Sequence, residues 1–163
     1  MNNKKNGFTL VELLATIVIL GIVMGIVLIT VNGGFRNAKD KTEDVFIKTI
    51  EDALNIYIDS DAKRLNYNNE VGCIKKTHGS VKVYKASGSL SFNNVINSDY
   101  SPITARDIVN PANEGVSCNS MAPIEIYRDN DYVYYYKVAK NSFNCLLNSD
   151  GYITNLPKID TCN

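Results

Sequence analysis

Hydrophobic and polar residues follow two different patterns over the first 60 residues of the chain. Residues 8–31 are almost continuously apolar, and Glu12 is the only charged side chain among them. At ~1.5 Å per residue, a helix of this length spans the ~30 Å core of a bilayer. We therefore predict that residues 8–31 form a helix buried in lipid or among copies of itself, where a carboxylate is costly unless it has a role.

From residue 35 onward the apolar residues become periodic. Phe35, Ala38, Phe46 and Ile50 belong to a series with the spacing of an amphipathic helix. The charged residues assigned to its opposite, solvated face are Arg36, Lys39, Asp40, Lys41, Glu43, Asp44, Lys48, Glu51 and Asp52. We predict that one helix continues over residues 8–60, with 32–60 as its amphipathic half. Its length, on the order of 80 Å, is too great for a small globule, so we expect it to protrude.

The remaining residues, 61–163, have the pattern of a small globular head. Alternating residues and turn signals predict strands at 81–86, 124–128, 132–139, 143–147 and 152–155. Asp129-Asn130-Asp131 is the predicted turn of the first hairpin, and residues 148–151 form the turn of the second. Residues 66–70 are predicted to be a loop, and Ser101-Pro102 to open a short helix that stops before Pro111. One sheet face is expected to pack on the apolar stripe of the long helix, which gives an α+β fold with an antiparallel sheet.

The charge balance and the lack of catalytic motifs limit the classes of function that the sequence supports. The 17 basic and 17 acidic residues balance, so bulk nucleic-acid binding is not expected. The single histidine, His78, sits beside Gly79 in a predicted loop, where a solvated side chain is a better interpretation than a catalytic base. No phosphate loop, nucleophile elbow or zinc signature is present in the sequence, so we predict no catalytic residue and no cofactor.

Two further groups of residues have alternative interpretations. Asp129 and Asp131 are the residue type that binds calcium, but no full ligand loop surrounds them, so a hairpin tip is preferred and no metal is predicted. Tyr132, Tyr134, Tyr135 and Tyr136 form either an adhesive surface or, as we prefer, a set whose alternate members divide between the helix-facing core and a half-exposed sheet face.

The first residues carry the most specific motif. The short polar segment 1–7 contains Lys4 and Lys5 and ends at Gly7, and it is followed by the sequence Phe8-Thr9-Leu10-Val11-Glu12. A secretory signal has a shorter apolar core and a small-residue cleavage site after it, and a plain anchor gives Glu12 no role. The motif resembles the N terminus of the type IV pilin and pseudopilin family, in which a basic leader precedes Gly, an aromatic residue, Thr, Leu, an aliphatic residue and Glu.

The resemblance implies a processing site and an assembly residue. In that family a membrane prepilin peptidase cuts after the Gly, here between Gly7 and Phe8, and the new amino terminus, here Phe8, is methylated. Glu12 lies one helical turn from that amine. The carboxylate is expected either to meet the amine of a neighbouring subunit during assembly or to pair with the amine of its own chain, because a buried charge is much less costly when it is paired.

The resemblance also implies a function and a location. We expect a structural subunit of a type IV pilus filament, first a single-pass membrane precursor and then part of an extracellular filament connected with motility or cell adhesion. Its partners would be copies of itself, other pilins, the prepilin peptidase and the assembly machinery. The alternatives are a type II secretion pseudopilin, a competence pilin, or a membrane-anchored surface binding domain that never polymerises.

Four cysteines, Cys73, Cys118, Cys145 and Cys162, all lie in the predicted head. An even number in a translocated domain favours disulfides, and three pairings are open. We prefer Cys145 with Cys162, which ties down the carboxyl terminus and resembles the C-terminal disulfide loop of many family members, and therefore Cys73 with Cys118. A metal site is disfavoured, because the spacing lacks CxxC and only His78 is available as a further ligand.

Overall fold

The computed structural model describes residues 10–104 and 108–162, except for the side chains of residues 25–33. The chain divides into two compact units, Met1–Asp40 and Lys41–Asn163. The predicted leader 1–7, the predicted cleavage and methylation residue Phe8, and Ala105 of the predicted short helix lie outside the described residues. The predicted α+β class with an antiparallel sheet is confirmed.

Helix α1 spans Leu10–Ser60 and is 51 residues long. Its C-terminal part has the predicted apolar stripe, because Phe46, Ile50 and Leu54 recur every four residues and are buried. The helix ends where the Ser60 hydroxyl donates to the carbonyl of Ile56 at 2.9 Å. A short 3-10 helix, Ala62–Arg64, follows directly.

The head contains a six-stranded antiparallel sheet. Its strands are β1 (Asn69–Lys76), β2 (Gly79–Lys85), β3 (Leu90–Ser91), β6 (Pro123–Asp129), β7 (Tyr134–Ala139) and β8 (Tyr152–Thr154). Strands β1, β2, β6, β7 and β8 are neighbours in that order, and β3 pairs with β6 beyond the end of β2. The hairpin predicted around Asp129-Asn130-Asp131 is confirmed as β6 and β7, with Ile126 opposite Tyr136. Strand β1 begins inside the segment that was predicted to be a loop.

Both faces of the sheet are covered by apolar residues. Alternate residues of β6, such as Ile124 and Ile126, join the stripe of α1 in one cluster, which we call the helix-side core. Residues of the opposite face, Ile74, Val83, Tyr127 and Tyr135, form a second cluster. The partly buried side chains packed on this second cluster include Leu156 and Ile159, near the carboxyl terminus. The sheet therefore lies between α1 and the C-terminal segment.

The predicted short helix opened by Ser101-Pro102 is not observed in the described residues. The only short α-helix described in the head is α2, Phe92–Ile96, where Ser91 and Asn94 form a capping box. Residues 101–104 are not helical, because the Ser101 hydroxyl donates to the carbonyl of Ile103 and accepts its N–H, a local turn that competes with a helix. Further on, β4 (Val109–Asn110) pairs with β5 (Val116–Ser117) instead of continuing a helix.

The predicted strand at 143–147 is also absent from the structure. A 3-10 helix, Lys140–Ser142, follows β7, and β8 pairs directly with β7 through Val138 and Ile153. Two backbone groups of residues 143–147 bond to side chains instead of to a strand: the carbonyl of Cys145 accepts from Asn110 Nδ2 at 3.0 Å, and the N–H of Leu147 donates to Glu43. Phe143 and Cys145 point into the helix-side core, which explains their apolar character.

Candidate functional site

The N-terminal candidate site consists of one acidic side chain on an apolar helix surface. Glu12 lies in the first turn of α1, where the helix dipole favours a negative charge, and it is exposed. It is the only charged residue over residues 10–24. The other members of the predicted motif, Gly7 and Phe8, lie outside the described residues.

The described helix surface that follows Glu12, over residues 13–24, is largely apolar. All the large apolar side chains of residues 10–24 are exposed, and even the least exposed of them, Val23, has 50 % of its surface accessible. Soluble proteins rarely expose contiguous apolar patches larger than a few hundred Å². This length of α1 therefore has the surface of a segment that is covered by lipid or by other protein.

Within the described part of the chain, no helix combines the length and the apolarity needed to cross a membrane.

The predicted membrane span over residues 8–31 extends beyond the described residues at both ends. Phe8 is outside them, and so are the side chains from residue 25 onward in that range. The membrane span therefore stays a prediction.

A second acidic residue, Glu43, fixes the head to α1. Its carboxylate accepts the backbone N–H of Leu147 at 2.6 Å and of Asn148 at 3.0 Å, and Asn110 Nδ2 at 3.1 Å. Glu43 is 5 % exposed and Asn110 is fully buried. The interaction joins α1, β4 and the segment after Cys145, so the carboxylate acts as a structural anchor for that segment.

Assignment of Glu43 to the solvated helix face was therefore wrong. The sequence did contain a signal, because Glu43 lies three residues before Phe46 and seven before Ile50, on the same face as the buried stripe. What the sequence could not show is that three donors would arrive from residues more than sixty positions away. Asn110, which also accepts the N–H of Ala112 at 2.9 Å, was missed entirely.

All four cysteines form disulfides, but the preferred pairing is wrong. The bonds join Cys73 with Cys162 and Cys118 with Cys145, with Cα–Cα distances of 5.1 and 4.8 Å. Cys162 is tied to β1 because Asp160 pairs with Cys73 through two backbone hydrogen bonds of 2.8 Å. Since that pairing brings the carboxyl terminus to β1, Cys145 is left beside Cys118 at the helix-side core.

The C-terminal segment needs a glycine in β1 in order to lie this close. Gly72 has φ +142°, and a Cβ at this position would meet Ile159 Cγ2 at 2.5 Å and the carbonyl oxygen of Asp160 at 2.7 Å. Both distances are shorter than any real Cβ contact, so a side chain would force the C-terminal segment away from the sheet. Gly72 therefore allows residues 156–160 to cover the second cluster.

Asp129 organises the turn between β6 and β7. Its buried carboxylate accepts the N–H groups of Asp131 and Val133, both at 2.9 Å, and the Tyr135 hydroxyl at 2.9 Å. Lys76 Nζ lies 2.7 Å from Asp129 and 2.6 Å from Asp131. Burial alone would raise the pKa of Asp129, but the hydrogen bonds from Lys76, Val133 and Tyr135 together hold it below its ordinary value.

Asp129 and Asp131, the two residues considered as calcium ligands, already share a cationic partner. An ammonium group, that of Lys76, already lies between the two carboxylates. The part of the chain that the structure describes contains no group of three or more acidic, histidine or cysteine residues placed to hold a metal ion. His78 is exposed in the turn between β1 and β2.

The four clustered tyrosines divide as their alternation predicted. Tyr134 and Tyr136 face the helix-side core, whereas Tyr135 lies in the second cluster. The opposite face is more covered than expected, because Tyr135 is only 8 % exposed. Tyr132 is the exception, with 70 % of its surface accessible. Burial, followed by the hydrogen bond to Asp129, raises the pKa of Tyr135 to about 12.

Comparison with known proteins identifies the N-terminal segment. Residues 2–28 match the prokaryotic N-terminal methylation motif, a match that includes Glu12 and the exposed apolar surface around it. No curated protein and no solved structure matches the chain. The chain therefore carries the N-terminal leader signature of type IV pilins and prepilins.

Proposed function

We propose that the protein is a structural subunit of a type IV pilus filament. The observation that carries the proposal is the methylation motif at residues 2–28, in which the described side chains of residues 10–24 are exposed and largely apolar, with a single carboxylate. The motif implies cleavage by a prepilin peptidase and assembly with other pilins. In this proposal residues 1–7 are removed, residues 8–31 hold the precursor in the membrane and later form the filament core, and the head stays outside the cell.

Glu12 has the central role in assembly. After cleavage between Gly7 and Phe8, the methylated amine of Phe8 lies one helical turn from the Glu12 carboxylate. In an apolar setting the two charges stabilise each other, either within one chain or between neighbouring subunits. Exchange of lipid for protein contacts provides little net hydrophobic free energy, so this charge pair supplies the register of the helices in the filament.

The head has covalent and hydrogen-bonded cross-links that suit a location outside the cell. Two disulfides close its loops, which fits an oxidising compartment. The Glu43 anchor and the Cys118–Cys145 bond hold the loops around β4 to α1. The motif and these features are those of a structural subunit.

The test is to replace Glu12 in the native cell and measure assembly. The Glu12→Gln variant should keep a wild-type level of chain in the membrane fraction but lose the filaments that shearing releases from the cell surface. Glu114→Gln, the same chemical change at an exposed head residue, should still assemble. Wild-type filament yield from Glu12→Gln cells would contradict the proposal.

Cells that lack this chain distinguish the alternative functions. If the protein is a pseudopilin or a competence pilin, these cells should lose secretion or DNA uptake without losing long surface filaments. A membrane-anchored binding domain that never polymerises predicts that the chain is absent from the sheared fraction of wild-type cells. Electron microscopy of cells with and without the chain distinguishes these outcomes from that of a pilus subunit.

A further inference from the structure

The two disulfides of the head differ in their accessibility to a soluble thiol. Cys145 is fully buried, and its partner Cys118 packs against the helix-side core. In the other bond Cys73 is 6 % exposed, but Cys162 is exposed and lines an open surface groove of about 520 Å³ between β1 and the C-terminal segment. A thiolate reduces a disulfide by attacking one of its sulfurs, so the rate of reduction depends on access. Cys162 Sγ is therefore the sulfur that a reductant reaches first.

The same disulfide restrains the C-terminal segment, which comprises residues 156–162. Within the described part of the chain, the main chain of this segment is bonded to that of the sheet only by the two hydrogen bonds of 2.8 Å between Asp160 and Cys73. Both bonds lie beside Cys162, and none of the segment's residues is fully buried. Ordering a chain end costs conformational entropy, and a disulfide lowers this cost by keeping the ends of its loop together. The segment therefore depends on the disulfide in order to stay on the sheet.

The C-terminal segment covers the second cluster. Leu156 and Ile159 pack against this cluster, and Tyr127, one of its members, lines a cleft together with residues 156–159. The four buried members of the cluster are each 8 % exposed or less. Release of the segment would bring these apolar side chains into contact with water.

The opposite face of the sheet is held by other bonds. Cys118–Cys145 and the hydrogen bonds of Glu43 join the head to α1 there, and the helix-side core, as far as it is described, includes no residue of 156–162. We propose that the Cys73–Cys162 bond is a thiol-sensitive lock on the C-terminal segment. A dithiol reductant opens this bond first, the segment leaves the sheet, and the second cluster is uncovered while the helix-side core stays intact. This proposal is independent of filament assembly.

The opening reaction is two successive thiol–disulfide exchanges. One thiolate of the reductant attacks Cys162 Sγ, which forms a mixed disulfide, and Cys73 leaves as a thiolate. The second thiol of the reductant then attacks the reductant's own sulfur in the mixed disulfide, and Cys162 leaves in turn. The reductant is oxidised to a cyclic disulfide, and its two protons and two electrons end on the thiols of Cys73 and Cys162.

The first test measures the order in which the disulfides open. The full-length chain in detergent is treated with dithiothreitol for increasing times, its free thiols are blocked with iodoacetamide, and its peptides are mapped. Cys73 and Cys162 should become blocked about tenfold faster or more than Cys118 and Cys145, because only the first pair has an accessible sulfur. Equal rates, or faster opening of Cys118–Cys145, would overturn the proposal.

The second test measures release of the segment in the sample whose first disulfide is open and blocked. Endoproteinase Lys-C should cut after Lys158 about tenfold faster than in the oxidised chain, because cleavage requires the local main chain to open. Nitration of Tyr127 by tetranitromethane should rise several-fold. Tyr136, which is 3 % exposed in the helix-side core, is the internal control and should react no faster than before.

Two outcomes of this test would overturn the proposal. If the rates at Lys158 and Tyr127 do not change, the segment stays on the sheet without its disulfide. If Tyr136 reacts as much faster as Tyr127 does, the whole head unfolds and the bond is not a lock on one segment. A variant that carries both Cys73→Ser and Cys162→Ser should behave like the reduced wild type whether or not dithiothreitol is present, and slow cleavage after Lys158 in this variant would also contradict the proposal.

Discussion

Removal of the Glu43 carboxylate is the sharpest test of how the head is held together. The side chain accepts three hydrogen bonds, from Leu147 N, Asn148 N and Asn110 Nδ2, in a site where it is 5 % exposed. In Glu43→Ala these donors lose a charged acceptor, and each such loss costs about 1.5–3 kcal/mol. Partial relaxation of the segment after Cys145 reduces the sum, so we expect a loss of about 4 kcal/mol, a large part of the ~5–15 kcal/mol that stabilises a typical domain.

The expected change is large enough for thermal unfolding. At roughly 2–4 °C per kcal/mol for a chain of this size, Glu43→Ala should lower the Tm by about 8–16 °C. Near-ultraviolet circular dichroism of tyrosine reports on the unfolding of the unit Lys41–Asn163. The chain has ten tyrosines and no tryptophan, and all ten tyrosines lie at or after residue 57. Glu43→Gln keeps one acceptor oxygen and should lose about half as much free energy.

The matched control replaces a carboxylate at a neighbouring position of α1. Asp44→Ala removes a carboxylate from the adjacent, exposed position of α1 and should change stability by less than about 0.5 kcal/mol. If Glu43→Ala unfolds within a degree or two of Asp44→Ala, the carboxylate is not an anchor and the reasoning from its three hydrogen bonds is wrong.

Three further predictions concern the head. The pKa of Asp129 is below its ordinary value of 3.8, so its contribution to stability is complete above about pH 4 and is lost as the pH falls through the lower, folded-state pKa. The Asp129→Asn variant should therefore be less stable than the wild type at pH 7 and should lose less stability in acid. Urea unfolding at several pH values measures both differences. Non-reduced peptide mapping should find Cys73 linked to Cys162 and Cys118 linked to Cys145, and a Cys73–Cys118 peptide would contradict the fold. In urea unfolding, Gly72→Ala should lower the free energy of unfolding by about 2 kcal/mol more than Gly79→Ala does. Both glycines have positive φ, but only Gly72 has a neighbour within 4 Å of the added Cβ. Equal losses in the two variants would argue against the close approach of residues 156–160.

The sequence predicts those parts of the fold that depend on local patterns. The apolar stripe of α1 and the hairpin around Asp129 were both visible, because periodicity and turn residues are properties of neighbouring positions. The α+β class follows from these elements together. The methylation motif was visible for the same reason, since its residues are consecutive.

The parts that sequence reasoning missed are decided by distant contacts. Glu43 was assigned to solvent because a charged residue on a helix is normally hydrated, and nothing nearby signals that the donors of residues 147 and 148 will reach it. Cysteine pairing depends on the bridge between Cys73 and Asp160, which no spacing encodes. The segment 143–147 has strand-like composition but bonds to the side chains of Glu43 and Asn110 instead.

The central claim of the proposal is that this chain is cut after Gly7 and assembled through its N-terminal helix. Mass spectrometry of the protein isolated from its native cells tests this claim most directly. The account predicts an N-terminal peptide that begins at Phe8 and carries one additional methyl group on its amine. A mature chain that still begins at Met1, or one cut after residue 31, would contradict it.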